Sequence, residues 1–233
     1  MFNFIRQFFR VAVMLSVVLS THTQASTIID FEGDALTGLY FPGDTLSQSG
    51  FVLTAQNDFG NVDTVAAFAA GAPTGNATQF YFNSNEGSLA LAREGGGLFN
   101  LNGFSAAFVP LDRFLTQTIV LIVSATDATR TFQTVFSLGD TSSGASNYPF
   151  IAYNAPLDFS TFVNLNQVEF FACASTNAGV CQEPTNNNAQ FAIDNILLTT
   201  AQVNVNAVPT PASLPLLALG LLGLMLIRRR NLR

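Results

Sequence analysis

Arg130-Thr-Phe-Gln-Thr-Val-Phe-Ser-Leu138 decides the fold class. Phe132, Phe136 and Leu138 recur at period two, with Gln133 and Ser137 between them. An extended strand therefore puts an apolar set on one face and a polar set on the other. Thr118 to Val123 is instead continuously apolar after its first residue, as expected of a central strand covered on both sides. Working outward, further strand-like segments fall at 27–31, 51–56, 78–82, 88–92, 104–109, 129–138, 168–174 and 190–199. Turn residues separate them: Asp34, Gly43-Asp44, Asn57-Asp58, Gly95-Gly-Gly97, Gly139-Asp140 and Asn186-Asn-Asn188. No window between 26 and 200 carries a long 3.6-residue period with caps. About nine strands in one domain predict an all-β fold of two packed sheets. Gly95-Gly-Gly97 lacks the Gly-Lys-Ser/Thr ending of a phosphate loop and reads as a flexible hairpin connection.

The two ends differ from this middle. Met1 to Arg10 carries Arg6 and Arg10, 11–20 is apolar, and 21–25 is a polar segment ending in Ala25. These are the three regions of a secretory signal peptide, with cleavage expected after Ala25. At the other end, 214–227 holds 14 uncharged residues before Arg228, Arg229 and Arg230. As a helix it would reach about 21 Å against a hydrocarbon core of about 30 Å, a short span. The arginines form a basic stop that stays cytoplasmic and leaves 26–207 outside. The domain plan is a signal peptide at 1–25, a β-sandwich at 26–200, a polar linker at 201–207 and a tail at 208–233.

Trimming both ends changes the charge. The chain has no Lys, and only Arg93, Arg113 and Arg130 remain against all 15 acidic residues, a net charge of −12 for 26–207. Nucleic acid is excluded as a partner, because a phosphate backbone requires a basic surface. Cys173 and Cys181 are the only cysteines, and in an oxidising compartment they are expected to form a disulfide.

Catalysis is not expected. His22, the single histidine, leaves with the signal peptide, which removes a Ser-His-Asp triad and any histidine metal ligand. Without Lys or a free thiol, covalent catalysis by those groups is also absent. A carboxylate pair of the glycosidase kind would be the remaining route.

Two resemblances add to this reading. Val208-Pro209-Thr210-Pro211-Ala212, the apolar run from Leu216 and the arginine cluster resemble the PEP-CTERM sorting tail of Gram-negative bacteria that make extracellular polysaccharide. Thr210 stands where the eponymous motif has Glu. The resemblance implies export through Sec and signal peptidase, transient membrane anchoring, processing by exosortase, and a cell-surface or matrix destination. The second resemblance pairs the opening Ile28-Ile-Asp30-Phe31-Glu32-Gly33 with the closing Phe191-Ala-Ile193-Asp194-Asn195-Ile196. This looks like the first and last strands of jelly-roll carbohydrate-binding modules, and implies a jelly-roll-like sandwich. In that family a Glu near the start and the closing Asp ligate a structural Ca²⁺. Carried over, these are Glu32 and Asp194, with Asp30 a weaker candidate.

The expected function is a non-catalytic surface or matrix protein, structural or adhesive in an exopolysaccharide biofilm. The alternative is a carbohydrate-binding module recognising that polysaccharide, and a third reading is a glycan-active enzyme. Sugar faces are usually held by Trp or Tyr, and this chain has no Trp and four Tyr. Tyr148 and Tyr153, flanking Pro149-Phe-Ile, are the candidate glycan contacts. An aromatic platform on one sheet would favour binding, whereas a flat polar face would favour the structural role.

Overall fold

The computed structural model describes residues 26–68, 72–84, 87–109, 118–140, 148–154, 159–175, 181–182 and 190–201. The signal-peptide reading at 1–25, the linker and the whole sorting tail, Val208 to Ala212 and Arg228 to Arg230 included, lie outside them. Among the described residues no helix is long and apolar enough to cross a membrane.

The described chain is almost entirely strand: β1 (Ser26–Ile29), β2 (Gly38–Tyr40), β3 (Thr45–Gln48), β4 (Phe51–Gln56), β5 (Gly60–Asp63), β6 (Phe80–Asn83), β7 (Ser88–Arg93), β8 (Phe99–Phe108), β9 (Thr118–Thr126), β10 (Thr131–Asp140), β11 (Ile151–Asn154), β12 (Gln167–Ser175), β13 (Cys181–Gln182) and β14 (Phe191–Thr200). One turn of 3-10 helix spans Val65–Ala67. The strands form two seven-stranded sheets, and all their pairings are antiparallel. Sheet A runs β11-β8-β14-β6-β5-β2, with β1 also on β14. Sheet B runs β10-β9-β12-β7-β4-β3, with β13 on β12.

Alternation builds the core between them. In β4 the pattern is strict: Phe51, Leu53 and Ala55 are buried while Val52, Thr54 and Gln56 are half-buried. In β10 the inward set is Phe136 and Leu138, with Phe132 packed against the core. Phe104 of β8 sits at the centre, 1% exposed, with ring centroids 5.1–5.7 Å from Phe136, Tyr153, Phe159 and Phe170. Such tilted and edge-on contacts add to what area burial alone provides. β9 is apolar on both faces because both are covered. Ile119, Leu121 and Val123 join the main core, whereas Val120 and Ile122 pack outward with Cys173. The Cys173–Cys181 disulfide is formed and pins β13 to β12 over this outer cluster.

The fold departs from the sequence reading in four places. Gly95 to Gly97 do not close a hairpin: β7 belongs to sheet B and β8 to sheet A, so the three glycines, all at positive φ, carry the chain from one sheet to the other. The opening strand ends at Ile29 because Phe31 adopts φ +56°, outside the extended region. The short strands β2, β3, β5, β11 and β13 were not legible from alternation, being two to four residues long. β8 also begins at Phe99, before the segment read from the sequence.

Candidate functional site

Two places bring polar chemistry together. The first is where the opening and closing strands meet. β1 pairs with β14 from Ser26↔Thr199 to Ile29↔Ile196, so the residues just after β1 arrive beside the start of the β14 bulge at Asp194–Leu197. Asn195 takes φ +50° at that bulge, and Phe31 takes φ +56° between Asp30 and Glu32. Two left-handed non-glycine residues flank one cluster of carboxylates, the kind of strain that the surrounding contacts must hold in place.

Asp194 is 0% exposed. Its Oδ1 accepts the Asn195 N–H at 2.7 Å, and its Oδ2 accepts the side-chain amides of Asn76 at 2.7 Å and Asn195 at 2.8 Å. Burial lifts its carboxyl to about 7; the Asn195 and Asn76 donors pull the other way, and the negative charges of Glu32 and Asp30 push it up further. Glu32 accepts the Gln79 N–H through Oε1 at 3.0 Å, while Gln79 Oε1 accepts the Gly33 N–H at 3.0 Å. Segment 76–79 is thus tied to both strand ends. Asn76, which formally begins an acceptor sequence for glycosylation, spends its amide on Asp194 and its Oδ1 on Thr78.

The three carboxylates predicted to hold Ca²⁺ come within electrostatic reach of one another, but do not gather as one ligand set. Among the described residues no group of three or more His, Cys, Asp or Glu comes together as a metal site would require. Asp30 is turned to other partners: its Oδ1 accepts Gln48 Nε2 at 2.7 Å and the Glu32 N–H at 3.2 Å. The donor chemistry still suits a hard cation, since every group is an oxygen and the local charge is negative. The only ion pair among the described residues, Arg130–Asp127, lies on the other sheet.

The second place is the outer face of sheet B. Register puts Thr45, Thr54, Ala90, Glu169, Ser124 and Gln133 in one row across six strands. At about 4.8 Å per strand this row is about 24 Å long. The neighbouring row is Gln56, Ser88, Phe171, Ile122 and Val135. Glu169 Oε1 accepts the Ser88 hydroxyl at 2.6 Å, and Asn57 Nδ2 donates to the same Ser88 at 3.3 Å. Phe171 is half-buried against the Val120, Ile122 and Cys173 cluster, and Val135 is 46% exposed. Ser88, Ala90 and Ile122 are buried in this face; what it presents is Thr45, Gln133 and Val135 exposed, with Thr54, Gln56, Ser124, Glu169 and Phe171 half-buried. Glu169 and Phe171 fall within the strand-like segment 168–174 but nothing in the sequence marks them out; the register shows what stands beside them.

The expected glycan contacts are not available as platforms. Tyr148 is 6% exposed, its ring edge-on to Phe108 at 5.0 Å. Tyr153 packs on Phe104 and Phe136 and donates its hydroxyl to the Ser137 carbonyl, and burial pushes its phenol up to about 12. Thr74 bridges to Pro149 beside Tyr148, and the pairing of β11 with β8 sets Tyr153 opposite Phe104.

No protein-family model matches the chain, and no curated protein matches it. Among solved structures, a DUF4465 family protein from Bacteroides ovatus is similar at 8% identity and TM-score 0.46, over 76% of this chain and 100% of that one. TmCBM61 in complex with β-1,4-galactotriose has 9% identity and TM-score 0.32, over 66% and 90%. A family 11 carbohydrate-binding module from Clostridium thermocellum, in complex with a mixed-linked tetrasaccharide, has 13% identity and TM-score 0.31, over 77% and 98%.

Proposed function

We propose that this chain is a non-catalytic, exported β-sandwich that binds an extended polysaccharide across the outer face of sheet B. The observation that carries this reading is the row from Thr45 to Gln133, with Glu169 at its middle and Phe171 beside it. Sugars offer hydroxyls around their rims and C–H groups on their faces, and this surface has partners for both. A 24 Å row is about the length of four or five sugar units. Small side chains at Ala90, Ser124 and Thr54 leave the floor level, so a chain could lie flat. The charge of −12 over 26–207 opposes uronate-rich glycans, which makes a neutral polysaccharide the substrate class.

The tail reading supplies delivery: Val208 to Ala212 as the exosortase motif, the apolar run as a transient anchor, and the cell surface or matrix as destination. Ca²⁺ held by Glu32 and Asp194 would staple the two ends of the sandwich. The supporting observation is a buried carboxylate beside two more acids, whose partners among the described residues are the amides of Asn76 and Asn195 and not a cation.

Affinity electrophoresis of the full chain in non-ionic detergent through gels containing neutral polysaccharide tests the glycan reading. Retardation that saturates, and that falls about tenfold in Glu169→Ala or Phe171→Ala, is the expected result. Migration unchanged at every polysaccharide concentration overturns it, and leaves the structural matrix role as the account of the polar face. For the cation, a melting temperature that chelator does not move in the wild type would remove Ca²⁺ from the molecule.

A further inference from the structure

We propose that the edge strand β10 pairs with β10 of a second copy, joining two sheets B into one continuous antiparallel sheet. Strand edges carry rows of open N–H and C=O groups, and proteins blunt them by shortness, charge, proline or bulges. The other strands with one partner among the described residues, β1, β2, β3, β11 and β13, hold two to four residues each. β10 has ten. From Thr131 to Gly139 it contains no charge and no proline, and its single irregularity sits at the far end, between Ser137 and Gly139.

Local hydrogen bonds show which groups face outward. In the turn joining β9 to β10, the Asp127 N–H donates to the Arg130 carbonyl at 3.0 Å, so Arg130 faces β9. Backbone groups alternate sides along a strand. Phe132, Thr134 and Phe136 therefore face β9, whereas Thr131, Gln133, Val135 and Ser137 face away from it. The Ser137 carbonyl confirms the parity, because it is bonded instead by the Tyr153 hydroxyl from the other sheet. That bond closes the edge at one end. Among the described residues nothing pairs with the outward N–H and C=O of Thr131, Gln133 and Val135, and their side chains are all exposed.

Three outward residues centred on Gln133 are a self-complementary set. A two-fold axis through Gln133 pairs Thr131 with the second copy's Val135, Gln133 with its own equivalent, and Val135 with the second copy's Thr131, for about six backbone hydrogen bonds. Elsewhere a molecule with a net charge of −12 over 26–207 repels its own kind, but this stretch is neutral and its central aliphatic, Val135, is 46% exposed. A second copy is the occupant that this symmetry selects.

The test is the mass of the full chain in density-matched non-ionic detergent, by sedimentation equilibrium, for the wild type, Gln133→Pro and Val135→Lys. Proline removes only the outward Gln133 N–H, and an edge strand tolerates it; the lysine places a charge on the paired edge. The wild type is expected to dimerise, and each variant to raise the dissociation constant about tenfold or more while keeping its near-ultraviolet circular dichroism. Slower exchange of the 131, 133 and 135 amides at high concentration is expected with it. A wild type monomeric at about 100 µM overturns the proposal, as does a dimer that neither variant weakens, which is what pairing through the apolar tail would give.

Discussion

Replacing Asp194 by Asn in chelator should make the protein more stable at neutral pH and less stable in acid. The distance from an ordinary carboxyl near 3.8 to about 7 is worth about 4 kcal/mol at 1.36 kcal/mol per pH unit. Because the folded value is the higher one, this stabilisation is fully present below pH 3.8 and is lost as pH rises through about 7. Asn cannot ionise, so it escapes the loss. It does replace one carboxylate oxygen by an NH₂ that faces the donors of Asn195 and Asn76, which costs about 1 kcal/mol. The net expectation is a gain of about 3 kcal/mol at pH 8, a loss of about 1 kcal/mol at pH 3.5, and curves that cross near pH 4.5. Urea unfolding followed by circular dichroism between pH 3.5 and 8 measures this directly. If wild type and variant run parallel across that range, burial does not raise the Asp194 carboxyl and the account of the strand junction fails. Added Ca²⁺ gives a second reading of the same pair: a cation at Glu32 and Asp194 should restore wild-type stability at pH 8 and leave Asp194→Asn little changed.

Phe104→Ala should destabilise by about 3–5 kcal/mol in urea unfolding, because four aromatic rings close around a side chain that is 1% exposed. Gly60→Ala should cost about 1–3 kcal/mol by the same assay, since a Cβ there would lie 2.0 Å from the Tyr81 hydroxyl, which is itself engaged with Asn83. Reducing Cys173–Cys181, eight residues apart, should lower stability by about 2.5 kcal/mol without unfolding the protein, visible as a lower melting temperature with unchanged far-ultraviolet dichroism.

The sequence by itself determined the fold class, because side-chain alternation at period two is a local property that survives whatever the strand packs against. β10 was legible for that reason, β9 from its unbroken apolar run, and the disulfide because two cysteines in the chain leave one pairing. Asp194 and Glu32 were legible as neighbours through the opening and closing segments, and β1 does pair with β14. What only tertiary structure decided is everything that depends on register and crossing. Gly95 to Gly97 look alike in a hairpin and in a crossover, because a turn does not encode which sheet the next strand joins. Tyr148 and Tyr153 flank a proline and read as exposed, but Tyr148 is buried in the core and the pairing of β11 with β8 sets Tyr153 half-buried against it. Glu169 and Phe171 gain their meaning from Ser88, Ile122 and Ser124 on neighbouring strands, more than 35 residues away in sequence. Long-range pairing selects those neighbours through the packing of whole sheets, and no local pattern records it.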